Sequence, residues 1–159
     1  MRRLAVVVLL LVGLMAAGWA FFKQPAEPSL AFRTLDGRRM TLDGLRGKVV
    51  LVTFWATSCP ACIKEMPDLV RTYQDYRGRG LEMVAVAMSY DPPAYVRRYA
   101  EMNRLPFPVA LDEGGTLAHS LDVRLTPTAF LIDRRGRIVS RTVGLLDFGR
   151  LRVFLENNS

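Results

Sequence analysis

Residues 48–66 read KVVLVTFWATSCPACIKEM, and the rest of the chain is organised around them. Val49, Val50, Leu51, Val52, Phe54 and Trp55 make a nearly unbroken apolar run, the pattern of a strand covered on both faces. A short turn follows, with Ser58 placed to cap a helix and Pro60 at a first-turn position where proline is tolerated. Ala61 to Met66 then permit helix. Cys59 and Cys62 stand three apart in its first turn and so share one face.

Two sulfurs in that arrangement can close as a disulfide or open as a dithiol. The helix start offers unpaired N–H groups and the positive end of the helix dipole, both of which favour thiolate over thiol. Cys59 is expected to be the exposed attacking thiolate and Cys62 the buried resolving thiol. A structural bridge this short would constrain the unfolded chain little. A zinc site asks for four ligands, and the chain offers only these two cysteines and one histidine, His119. A C-x-x-C in a β–α context reads as a redox pair. It needs no cofactor beyond its own Cys59–Cys62 disulfide.

The chain has 159 residues and a formal charge of +7. Arg2, Arg3 and Lys23 supply three of those charges, leaving a mildly basic domain with scattered arginines. No stripe of cations and aromatics marks a nucleic-acid partner. Met1-Arg2-Arg3 is followed by an uncharged run from Leu4 to Phe22, about 28 Å as helix and enough to span a bilayer core. Arg2 and Arg3 would remain cytoplasmic, which places the rest on the periplasmic or extracytoplasmic side of the cytoplasmic membrane. Ala16-Ala17-Gly18 resembles a cleavage site, but the length of the run favours an uncleaved anchor. The expected organisation is an anchor over 1–23, a linker over 24–29 and one domain over 30–159.

Within that domain the expected order is hairpin, β-α-β-α-β, short helix, β-β-α. The hairpin joins Leu30–Thr34 to Met40–Leu42 through Asp36-Gly37, and a helical turn leads to Gly47. The redox helix is kinked by Pro67 and ended by Gly78 and Gly80. Strands are expected at Leu81–Met88, Phe107–Leu111, Thr128–Asp133 and Ile138–Val143. Helices are expected at Ala94–Met102, Thr116–Leu121 and Phe148–Glu156, the last capped by Asp147. The architecture is α/β, a mixed central sheet with helices on both faces.

Three joined features resemble the thioredoxin-like fold and, within it, the membrane-anchored TlpA/ResA/CcmG group of thiol-disulfide oxidoreductases. They are Gly47–Val52 leading into Phe54–Thr57, Cys59-Pro60-Ala61-Cys62 with Glu65-Met66-Pro67 after it, and Thr126-Pro127-Thr128 leading into Phe130–Asp133. The resemblance implies a three-layer α/β/α domain with an N-terminal hairpin extension and a helix–strand insertion. It implies a cis peptide before Pro127, with Thr126, Pro127, Pro60, Ala61 and Trp55 walling the site. It also implies a disulfide reductase acting on exported protein thiols and disulfides, apocytochrome c among them, recharged by a membrane reductant of the DsbD/CcdA type.

The sequence also departs from that pattern. Ser58 stands where many relatives carry Trp, and Thr53 where thioredoxin has a buried Asp. Asp91 is a candidate base whose simpler reading is a turn cap before Pro92, and Glu65 reads as solvated helix surface. Rival functions are a disulfide oxidase, a peroxiredoxin, which Ala56 three before Cys59 disfavours, and a copper chaperone using Cys59, Cys62 and His119. Met66, Met83, Met88 and Met102 fit core spacing better than a metal box.

Overall fold

The computed structural model describes residues 30–158. The predicted anchor and linker lie outside the described residues. Among the described residues no helix is long and apolar enough to cross a membrane.

Strands β1 (Ala31–Arg33) and β2 (Arg39–Thr41) form the expected hairpin. Gly37 takes the left-handed conformation its turn requires, at φ +83°. A 3-10 turn, Asp43–Leu45, leads into β3 (Val49–Trp55), followed by α1 (Pro60–Tyr76), a second 3-10 turn (Arg77–Arg79) and β4 (Leu81–Ala87). Then come α2 (Pro93–Met102), β5 (Val109–Leu111), α3 (Thr116–Ser120), β6 (Thr128–Ile132), β7 (Ile138–Val143) and α4 (Phe148–Asn158).

The main sheet has the order β5-β4-β3-β6-β7, with β3 in the middle, parallel to β4 and antiparallel to β6. The hairpin is a separate two-stranded sheet, tied on where Leu35 N–H donates to the Val109 carbonyl at 2.8 Å.

Every residue of β3 is buried, and its alternation divides the interior in two. Val49, Leu51 and Trp55 face α1 and α4, packing with Cys62, Met66, Leu69, Tyr73, Leu151 and Leu155; Val96 of α2 joins this layer. Val50, Val52 and Phe54 face the hairpin and α3, meeting Phe32, Leu42, Leu45, Ala118 and Leu121. The central strand is thus apolar on both faces because each supports its own core.

Several boundaries differ from expectation. Cys59, not Ser58, is the N-cap of α1. The helix continues past Pro67 to Tyr76 as expected, but a left-handed Gly80 (φ +95°) closes the following turn, whereas Gly78 ends nothing. Helix α2 begins at Pro93, since a first-turn proline costs no hydrogen bond, and β5 begins only at Val109. Asp147 does cap α4, accepting from Arg150 N–H at 3.0 Å. In the β6–β7 turn, Asp133 accepts the N–H groups of Arg135 and Arg137 and pairs with the Arg137 guanidinium at 2.7 Å. Partial burial alone would raise its carboxyl, but these partners hold it below the ordinary carboxylate value.

Candidate active site

Strand β3 ends at Trp55, and the chain turns through Ala56–Ser58 before α1. Cys59 N–H closes that turn on the Ala56 carbonyl at 3.1 Å. Cys59 and Cys62 are joined as a disulfide, with Cα atoms 5.3 Å apart. Cys59 is half-buried and Cys62 is 2% exposed. A visitor therefore reaches the first sulfur and not the second. Cys59 Sγ accepts the Cys62 N–H at 3.2 Å. A helix-start N–H thus already points at the sulfur that carries negative charge after reduction, and the dipole of the 17-residue helix adds to it.

The walls come from three other places. Trp55 is 1% exposed and packs on Tyr99 of α2, ring centroids 5.2 Å apart. Pro60 and Ala61 form the outer rim as the first residues of α1. The Thr126–Pro127 bond is cis. Pairing of Phe54 with Thr128 sets this bond beside the end of β3, with Pro127 buried and Thr126 half-exposed. Tyr90, 60% exposed, shares a 3.4 Å hydrogen bond with the Thr126 hydroxyl. A groove of about 460 Å3 opens beside Thr57, lined by Tyr95, Arg98, Tyr99, Met102 and Asn103.

Two carboxylates are placed differently from their sequence readings. Glu65 is not on solvated surface: it is 3% exposed, three residues past Cys62 on the inward face of α1, and accepts Leu146 N–H at 2.6 Å. Burial pushes its carboxyl above the ordinary value, and the Leu146 N–H opposes that only in part. The signal was available, since 62, 65, 66, 69, 72, 73 and 76 are the buried positions of this helix and follow its period.

Asp91 does not cap its own turn. It is 3% exposed, and its two oxygens take the Thr57 N–H at 2.6 Å and the Thr57 hydroxyl at 2.5 Å. It therefore fixes the loop that delivers Cys59. No spacing argument links residues 34 apart, so the sequence held no direct sign of this contact.

Thr53, at 1% exposure, alternates onto the same face of β3 as Leu51 and Trp55. The Thr53 hydroxyl and the Trp55 indole N–H have no hydrogen-bond partner among the described residues. His119 lies exposed on α3, across the sheet from Cys62, so the copper ligand set is not brought together. Among the described residues, no three His, Cys, Asp or Glu side chains cluster as a metal site.

The Redoxin family model matches residues 23–147. This chain belongs to the Redoxin family. Over 129 residues it is 33% identical to the thiol-disulfide oxidoreductase ResA of Bacillus cereus, covering 81% of this chain and 74% of that one. It is 28% identical to the sporulation thiol-disulfide oxidoreductase A of Bacillus subtilis, with 98% of each chain covered. Among solved structures, a thioredoxin-family thiol:disulfide interchange protein of Chlorobium tepidum superposes with a TM-score of 0.74 at 26% identity, over 82% of this chain and 93% of that one. The fold is thioredoxin-like, and this redoxin is a protein thiol-disulfide oxidoreductase of the TlpA/ResA/CcmG kind, carrying the Cys59–Cys62 pair.

Proposed function

We propose that this redoxin is a disulfide reductase working outside the cytoplasm, tethered to the cytoplasmic membrane by residues 4–22. The observation that carries the chemistry is the asymmetry of the pair. Cys59 is within reach and its sulfur accepts a helix-start N–H, while Cys62 is sealed behind it.

In the reduced enzyme, Cys59 thiolate attacks one sulfur of a client disulfide. A Cys59–client disulfide forms and one client sulfur leaves as thiolate, taking up a proton. Cys62 gives up its proton and attacks Cys59 Sγ. The mixed disulfide breaks, the second client thiol departs, and two electrons have passed from the pair to the client. The Cys59–Cys62 disulfide that remains is the state seen here. A membrane reductant of the DsbD/CcdA type returns two electrons and two protons to it. Exported proteins are the client class, with the haem-binding cysteines of apocytochrome c a fitting member. The long uncharged N-terminal run supports the location, and export supports disulfide chemistry.

The variants Cys59→Ser and Cys62→Ser test the mechanism. The first should abolish insulin reduction, and the second should accumulate a mixed disulfide through Cys59. Full turnover by either would overturn it. The direction is read from the reduction potential of the couple. A value near ~−270 mV supports a reductant, and one near ~−120 mV transfers the proposal to an oxidase.

A further inference from the structure

The end of the sheet opposite Cys59 gathers cations from three separate stretches of chain. Arg46 and Lys48 precede β3, Arg77 and Arg79 precede β4, and Arg134, Arg135 and Arg137 make the β6–β7 turn; all are exposed. They meet physically. Gly47 N–H donates to the Arg134 carbonyl at 2.8 Å, and the Arg46 guanidinium to the Arg135 carbonyl at 3.2 Å. Val49 N–H reaches the Gly80 carbonyl at 3.0 Å.

Asp43, Glu82 and Asp133 pair with Arg46, Lys48 and Arg137, and Asp75 and Glu156 lie in the last turns of α1 and α4. Arg134 donates to the Asn158 carbonyl at the end of α4. The cations remain in excess, and Arg77 and Arg135 make no ion pair among the described residues. At the other end, the segments flanking Cys59 (56–60, 89–90 and 125–127) carry no charge.

The described chain also begins at the basic end. Leu42 N–H donates to the Leu30 carbonyl at 3.0 Å, and Leu45 N–H to the Leu42 carbonyl at 2.9 Å, one residue before Arg46. Only residues 24–29, QPAEPS, separate this point from the uncharged run and Lys23. Fully extended they reach roughly 20 Å. A bilayer holding residues 4–22 would therefore keep this end near its headgroups, within a few Debye lengths of ~8–10 Å.

We propose that the basic end formed by Arg46, Lys48, Arg77, Arg79 and the Arg134–Arg137 turn rests on anionic phospholipid headgroups, presenting Cys59 on the side facing away from the bilayer. This rests on the anchor reading above. Seven residues of β3 separate the two ends, roughly 23 Å at the rise of a strand. The membrane reductant that recharges Cys59 then needs a part that extends past the domain to the side facing away from the bilayer.

The test uses the full chain in lipid nanodiscs of phosphatidylcholine alone or of phosphatidylcholine with phosphatidylglycerol. Co-elution with the discs reads the anchor, and amide hydrogen exchange at 46–48, 77–80 and 134–137 reads the docking. Exchange there should slow on the order of fivefold or more in the anionic discs relative to the neutral ones. High salt should erase the difference. The double variant R77E/R135E should return exchange in the anionic discs to its level in the neutral ones, with insulin reduction unchanged because neither side chain touches the site. Co-elution with both discs but equal exchange would overturn the docking and leave the anchor standing. Anionic-lipid protection that survives R77E/R135E would also overturn it, by assigning the contact to another surface. Failure to co-elute with either disc would remove the anchor and the docking together.

Discussion

Glu65 and Asp91 are buried carboxylates that face the active-site elements from two sides. Glu65 has its carboxyl raised by burial. The unfolded chain therefore gives up this proton at a lower pH than the folded chain. The carboxyl costs no stability below the unfolded value. The cost grows as pH rises through the window up to the folded value and stays constant above it. In Glu65→Gln the amide oxygen still accepts Leu146 N–H, but the ionisation is gone. Urea unfolding of both proteins from about pH 4 to about pH 7 should show the variant gaining on the parent as pH rises; a flat difference would mean that Glu65 is not destabilised when charged. For Asp91→Ala, the hydrogen bonds accepted from the Thr57 N–H and hydroxyl disappear, and a loss of about 1–3 kcal/mol is expected in the same assay. Iodoacetamide labelling of reduced Cys59 should also slow as the 57–58 loop loosens. Unaltered labelling would restrict Asp91 to stability alone. The helical period places Glu65 on the inward face of α1, but the partners of both carboxylates lie beyond any local spacing. The cysteine pair and its helix follow from local spacing. The surroundings of Glu65 depend on the Leu146 loop, 81 residues away, and those of Asp91 on Thr57, 34 away.

The elements were legible where a local period was strong. The unbroken apolar run of β3, the alternation of burial in α1 and the Arg134–Arg137 turn all carry signals within a few residues. Boundaries slipped where tertiary contacts choose the end. Strand β5 has only three residues because its pairing with β4 spans Ala85–Ala87 alone. Cys59 caps α1 because its sulfur, not the Ser58 hydroxyl, meets the Cys62 N–H. The energetic centre of the site-bearing element is the contact of α1 with the sheet. Leu69, at 1% exposure, lies two turns beyond Cys62 in the same core as Leu51, Met83 and Leu131. Leu69→Ala should cost about 2–5 kcal/mol by equilibrium urea unfolding, from lost transfer energy plus a cavity. A loss below about 1 kcal/mol would mean that the helix collapses freely onto the sheet, and that the disulfide is held by the β3 loop rather than by helix packing.

At the scale of the whole molecule, two properties of the chain have to be compatible: a domain that carries only a modest positive charge, and an N-terminal run with no charge from Leu4 to Phe22. A run of that length is too apolar to remain exposed in water and long enough to cross a bilayer core. The domain builds its two apolar cores from its own residues, one on either side of the main sheet. On the tether proposed above, the membrane takes up this run and the short linker holds the fold beside it. Expressed in a bacterium, the full chain should sediment with membranes and resist a carbonate wash. A version beginning at residue 24 behind a cleavable export signal should be recovered soluble, with insulin reduction unchanged because the cysteine site lies at the far end of β3. Intact mass of the membrane-bound form should include the N-terminal run. Recovery instead of a soluble form beginning near Trp19 would show that Ala16-Ala17-Gly18 is cleaved, and that the domain works unattached.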